Sequence, residues 1–254
     1  MPELPEVLNY EKYLRQTSMH SPIQSIDIND KKVVQKDFEK YKNKLKNQSV
    51  EETYRRGKYL FCKLSSGNHL AFHFGMTGNF SYSKNNEPDY SQVKFHFDDD
   101  YTLHYICKRK LGKVDYTEDL DKYLEYKKLG PDAFEITQED FTEFLNKKRG
   151  SIKSALMDQK SIAGIGNICS DEICFQAGIH PGKKVKNIQD PGKLYNTMQR
   201  TLKTVADHYP DYDLPKAYLL PHREEGEDCP RCSGTIINET INGRSSYFCN
   251  SCQS

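Results

Sequence analysis

The hydrophobic pattern of this chain changes from strand period to helix period at Leu129-Gly130-Pro131-Asp132, and that change restricts the fold more than any other feature. Before it, apolar residues recur in short alternating runs: Ile23 to Ile28, Tyr59 to Leu64, His69 to Phe74, Val93 to Phe97 and Thr102 to Ile106. Strand side chains point alternately to two faces. Period-two runs separated by breaks such as Ser65-Ser66-Gly67-Asn68 and Phe97-Asp98-Asp99-Asp100 therefore predict an antiparallel sandwich or barrel. Beyond the break the spacing is helical, over Thr137 to Lys147, Ser151 to Gln159, Asn167 to Ala177 and Pro191 to Tyr209, each bounded by glycine or proline. Residues 6 to 17 predict one more helix, started by Pro5. The expectation is an α+β protein of two domains, and 254 residues are enough for two cores.

Four of the eight cysteines close the chain as Cys229, Cys232, Cys249 and Cys252, a C-x2-C-x16-C-x2-C pattern within the spacing of structural zinc sites. Four thiolates fill a tetrahedral shell and leave no position for a catalytic water, so one Zn2+ is expected to be architectural. Between the cysteine pairs, Asn242-Gly243 is a favoured hairpin turn and presents Arg244 at the end of a rigid finger. The expected boundaries are 1–130 for the β domain, 131–225 for the helical domain and 226–254 for the finger. The other cysteines, Cys62, Cys107, Cys169 and Cys174, are scattered, which fits a reducing compartment. No apolar run approaches the ~20 residues that span a bilayer, and no charged-then-apolar leader is present. A cytoplasmic, nucleoid-associated location is expected, with no membrane partner. Net charge is only +1 and is not strongly split between the halves. A polyanion partner would have to be held by local patches such as Arg55, Arg56 and Lys58, or Lys108, Arg109 and Lys110.

The first residues, Met-Pro-Glu-Leu-Pro-Glu, suggest chemistry. Removing Met1 frees the secondary amine of Pro2. An α-amino group titrates near ~7.7 to 8.0, so part of it is a neutral nucleophile at physiological pH. A secondary amine condenses with an aldehydic carbon directly to an iminium, which suits opening a sugar at its anomeric carbon, and Glu3 is placed to pass a proton to the ring oxygen. Gly164-Ile165-Gly166-Asn167 sets small residues before a helix, where backbone N–H groups and the helix dipole form a phosphate site.

With Arg55-Arg56-Gly57-Lys58-Tyr59-Leu60, Gly164-Ile165-Gly166-Asn167-Ile168 and the cysteine module, these residues resemble the formamidopyrimidine-DNA glycosylase and endonuclease VIII family, and more closely the formamidopyrimidine branch because Leu4 stands where the other branch carries glycine. The resemblance implies an N-terminal β-sandwich, a helix-two-turn-helix domain and a zinc-finger hairpin, with double-stranded damaged or abasic DNA between the domains and a monomeric protein. It implies a bifunctional glycosylase and abasic-site lyase of base excision repair: Pro2 attacks C1′ and expels the base with help from Glu3, and β- and δ-eliminations follow. Lys58 then matches a phosphate contact that assists strand cleavage, and Glu172 a second active-site carboxylate. His73, Asn167 and Arg244 match further DNA-backbone contacts. Met76 matches the wedge that fills the hole left by an extruded nucleotide, and Arg109 the residue facing the orphaned base.

Three departures qualify the match. Leu111 stands where phenylalanine is usual, and Cys169 replaces a tyrosine. The stretch Asp207 to Lys216 replaces a longer Gly- and Thr-rich loop that caps 8-oxoguanine. Ring-opened purines and hydantoins are therefore the expected lesions. An endonuclease VIII-like enzyme for oxidised pyrimidines, or a non-catalytic damaged-DNA-binding protein of the same fold, are the alternatives.

Overall fold

Two four-stranded antiparallel sheets account for the alternating runs. One has the order β1 (Ile23–Ile28), β6 (Ser91–Phe97), β7 (Tyr101–Cys107), β5 (Gly78–Lys84), and the other β2 (Val50–Arg56), β3 (Tyr59–Leu64), β4 (His69–His73), β8 (Lys113–Thr117). Inward residues of both sheets, among them Ile26, Val93, Phe95 and Leu103 facing Leu60, Cys62, Leu70 and Phe72, form one core. That core also takes Val7 and Leu14 of helix α1 (Leu4–Thr17). The computed structural model describes all 254 residues, and the chain forms two compact units, Met1–Pro2 with Glu6–Lys128 and Glu3–Pro5 with Leu129–Ser254.

Strands β2, β5 and β8 lack clear alternation, and pairing makes them strands. β2 reads VEETYRR and buries only Val50 and Arg55, but it is held along its length by β3, from Val50 opposite Leu64 to Arg56 opposite Tyr59. A short helix, α2 (Lys42–Leu45), precedes β2, and α3 (Leu120–Lys127) follows β8 without burying any residue fully.

The second unit contains α4 (Gln138–Lys147), α5 (Ile152–Leu156), α6 (Asn167–Ala177), α7 (Pro191–Asp207) and a hairpin of β9 (Ile236–Ile241) and β10 (Arg244–Cys249). Side-chain oxygens cap three of these helices: Thr137 accepts from Asp140 N, Ser151 from Ser154 N and Asp190 from Lys193 N. α5 stops earlier than its pattern suggested. Gln159 instead binds the chain that follows, donating to Ile165 O and accepting from Gly164 N. Gly178, at φ 68°, ends α6 in the left-handed conformation. Phe141, Leu145, Ile152, Leu156, Ile173, Leu194, Met198 and Leu202 make the second core, which Leu4 of the N-terminal stem also enters. No helix is long and apolar enough to cross a membrane.

Candidate active site and zinc centre

Glu3 is held by three backbone donors. It is almost fully buried, and its carboxylate accepts from Gly166 N at 2.8 Å, Ile168 N at 2.9 Å and Cys169 N at 3.0 Å. Ile168 N and Cys169 N are the amides that a capping side chain at position 166 would satisfy, and Gly166 N is the N–H of the cap residue itself. Gly166 has no side chain, and a residue 163 positions earlier serves as the cap. Leu4 N also donates to Gly164 O at 3.0 Å. Both glycines are needed for this approach: a Cβ on Gly166 would lie 2.2 Å from Glu3 Cδ, and one on Gly164, whose φ is +119°, would lie 2.6 Å from Leu4 Cδ1. The Gly-x-Gly spacing thus makes room for the N-terminal stem as well as forming a helix N-terminus. Asn167 follows Gly166 as the first residue of α6. Its side-chain oxygen is buried without a hydrogen-bond partner. Pro2, peptide-bonded to Glu3, is half-buried, and Met1 before it is exposed.

Glu172, further along α6, faces another segment. Its oxygens accept from Leu219 N at 3.1 Å, Leu220 N at 2.7 Å and Gln176 Nε2 at 2.8 Å, while burial raises its pKa against those hydrogen bonds. Gln176 also donates to Ala217 O. The stretch after α7 is thereby tied to α6, and Leu214 and Tyr218 pack against Val205 as a small core of their own.

Five candidate residues lie on turns and strand ends of the sandwich unit. Lys58 does not belong to a strand: with Gly57 it forms the two-residue turn between β2 and β3, and it is nearly buried there. His73, at the end of β4, pairs with Tyr59 across the ladder, their rings 4.7 Å apart. Burial, with Lys58 and Lys127 nearby and Asp115 opposing them, lowers the His73 pKa to about 4. The imidazole is therefore neutral at physiological pH, and because Gly75 N–H points at Nδ1, the proton belongs on Nε2. Met76 and the pair Arg109 and Leu111 lie on two abutting turns. A Cβ on Gly75 would meet Leu111 C and Gly112 N at 2.5 Å, and Arg109 N donates to Thr77 Oγ1 at 3.0 Å. Met76 is 40% exposed and Leu111 51%, so neither is core.

The four cysteine sulfurs lie within 4.8 Å of one another, with 3.7 Å between Cys229 and Cys252 and 3.6 Å between Cys232 and Cys249. Tetrahedral Zn–S bonds of ~2.3 Å place sulfurs about 3.8 Å apart, so the set fits one structural Zn2+. Asn242 and Gly243, at φ 50° and 75°, make the hairpin tip, and Arg244 opens β10 in solvent. Asn242 Nδ2 reaches Ser151 and Ser154 at the start of α5. Under the hairpin lies a charged cluster with no recognisable sequence motif. Lys153, fully buried, donates to Asp171 at 2.6 Å, Ser246 Oγ at 2.7 Å and Ser245 O at 2.9 Å. Asp171 also accepts from Arg223 and from Tyr247 N. Every hydrogen bond from Lys153 Nζ goes to α6 or β10, which holds the strand bearing Arg244 against the helix that starts at Asn167.

Residues 1–114 match the formamidopyrimidine-DNA glycosylase N-terminal domain, 129–207 the H2TH domain of the same enzymes, and 226–254 the zinc finger found in FPG and IleRS. The chain belongs to the formamidopyrimidine-DNA glycosylase family. It is 32% identical over 273 residues to the formamidopyrimidine-DNA glycosylase of Streptococcus pneumoniae, covering 100% of this chain and 99% of that one. The Mycoplasma genitalium protein of the same name is 33% identical, with 100% and 96% covered. Among solved structures, an inhibited LlFpg with DNA containing N7-benzyl-Fapy-dG superposes with a TM-score of 0.89 at 27% identity, covering 100% of both chains. The Lactococcus lactis enzyme bound to DNA containing an oxidised pyrimidine gives 0.89 at 28%, again covering both chains in full. The family makes this chain a DNA glycosylase of base excision repair.

Proposed function

We propose that the protein excises oxidised bases from double-stranded DNA and then cleaves the abasic strand, with Pro2 as nucleophile once Met1 is removed. The proline nitrogen attacks C1′, the glycosidic bond breaks, and the base leaves with the proton lost by the amine. The C1′–O4′ bond then opens as O4′ takes a proton, which turns the aminal into an iminium. The iminium acidifies C2′, so that β-elimination breaks the 3′ C–O bond and δ-elimination the 5′ C–O bond, leaving phosphate ends. The observation that carries this reading is the anchoring of Glu3 by three N–H donors at the start of α6. It fixes the residue bonded to the nucleophile, as a site must that holds reacting atoms in near-attack geometry. Glu3 is assigned the proton transfer at the sugar ring oxygen. Lys58, His73, Asn167 and Arg244 are assigned the phosphates, Met76 and Leu111 the space left by the extruded nucleotide, and Arg109 the opposite base. Glu172, assigned to the active site by resemblance, acts there by holding the segment around Leu219 and Leu220. Residues 1–130 are assigned as the catalytic domain, 131–225 as the DNA-binding helical domain and 226–254 as the finger, in a protein working at the nucleoid.

Borohydride reduction tests the nucleophile. On DNA with an abasic site it should trap one protein per strand through the N-terminal proline, because reduction turns the iminium into a stable amine. Retained Met1 with no trapped adduct would overturn the assignment. Glu3→Gln should slow base excision more than cleavage of a ready-made abasic site.

A further inference from the structure

A chain of net charge +1 that binds a polyanion needs its positive charge collected somewhere. Residues 31–46 hold seven lysines and two acidic residues, a local net charge of +5, which leaves −4 for the rest of the chain. This segment, of two short 3₁₀ turns and α2, is anchored from inside by Val33, Val34, Phe38 and Leu45, all buried in the sandwich core, so its lysines are turned outward.

Its path gives the charge a direction. Lys110, in the turn that carries Arg109 and Leu111, pairs with Asp30 at 2.6 Å, just before the segment begins. From there the segment follows the edge of β8 in step with it. Lys113 Nζ donates to Lys32 O, Gln35 N donates to Val114 O, and Tyr116 N donates to Gln35 Oε1. Tyr41 stacks on Tyr116 with ring centres 4.4 Å apart, and Lys44 reaches Glu118. β8 has five residues, so the run extends about 15 Å from the turn at ~3.4 Å per residue. Duplex DNA rises ~3.4 Å per base pair, so this matches about four base pairs of phosphate backbone. Some of the charge is already paired: Lys31 and Lys42 with Glu39, Lys40 with Asp37, and Lys44 with Glu118. Those pairs are largely exposed, and exposed ion pairs are weak. Lys32, Lys36 and Lys46 are exposed and enter no ion pair.

We infer that residues 31–46 form a second DNA-backbone surface, which grips the phosphates of the duplex flanking the lesion, beginning beside Arg109 and running outward along β8. This rests on the proposed function, since it requires DNA at the Arg109 turn. Phosphate contacts carry no sequence information, so the surface should serve undamaged and damaged duplex alike and set how the protein scans DNA.

The test is a triple variant, Lys32→Gln, Lys36→Gln and Lys46→Gln, in the full-length zinc-loaded protein, with binding to 30-base-pair duplexes measured against salt concentration. Each lost phosphate contact should flatten the slope of log K against log salt by about 0.9, so a change of about two to three is expected on damaged and undamaged duplex. A control with equal charge change at scattered exposed positions, Lys12→Gln, Lys186→Gln and Lys203→Gln, should leave the slope close to the parent's. Single-turnover excision at saturating enzyme should be equal in all three proteins. An unchanged slope in the first variant, or an equal change in the control, overturns the inference. If the parent itself fails to excise, the enzymatic reading fails, and the slopes still report on the lysine surface.

Discussion

Gly166 shows how closely one residue can be constrained by a partner far away in sequence. Its two roles, starting α6 and admitting the Glu3 carboxylate, both depend on the missing side chain. Gly166→Ala places a methyl group 2.2 Å from Glu3 Cδ, with the buried carboxylate unable to retreat without giving up three hydrogen bonds. A loss of base excision of at least about 100-fold is expected, in keeping with the effect of small misplacements at reacting centres, while zinc content and the melting of the sandwich stay near the parent's. Wild-type excision by this variant would show that Glu3 need not be held. At this scale the four cysteines that the structure brings together were legible in the sequence, and Pro2, Glu3 and Asn167 could be named as candidates, because a motif records which residue types are required. The motif did not say that Gly166 faces Glu3, since a contact across so many residues leaves no local trace. Lys153, Asp171 and Arg223 were missed for the same reason, being far apart in sequence and each unremarkable alone.

Among the elements, those with their own periodicity were readable and those made by pairing were not. α4 and α7 bury one face each and have clear amphipathic patterns, whereas β2 and β5 become strands only because a neighbour supplies hydrogen bonds. The segment after α7 belongs to the second kind. Leu214 and Tyr218 are turned in against Val205, and Glu172 and Gln176 hold residues 217, 219 and 220 from below. A stretch pinned this way has little freedom to fold over an extruded purine and offer backbone donors to its O6 edge. Ring-opened formamidopyrimidines and hydantoins stack poorly and cost less to extrude, so they depend less on a cap. Single-turnover rates on matched duplexes should therefore be well above those for 8-oxoguanine opposite cytosine, by about tenfold or more, since one unmade hydrogen bond to the base costs roughly 1 to 3 kcal/mol. Equal rates would mean that Tyr209, Tyr212 or Lys216 supplies the missing contacts.

For the whole molecule, the change of period at residue 129 marked two hydrophobic cores, and each core here is closed by its own residues. Counting charge by halves hid the lysine run, because acidic residues elsewhere cancel it in any long average. The zinc centre belongs to the second unit alone. Phe175, Leu219 and Ile236 pack around its cysteines, and Phe248 lies against His180 with ring centres 4.3 Å apart. In such sites the energy of metal binding is folding energy. Stripping Zn2+ with a chelator, or Cys249→Ser, should therefore release the hairpin and the contacts it makes through Ser245, Ser246 and Tyr247, and lower affinity for lesion-containing duplex at least about 100-fold. Amide hydrogen exchange should show protection lost across β9, β10 and the 217–223 segment, with β3, β4, β6 and β7 unchanged. If exchange also rose throughout the sandwich, the two cores would not be independent. If affinity survived with the hairpin unfolded, Arg244 would have no part in holding DNA.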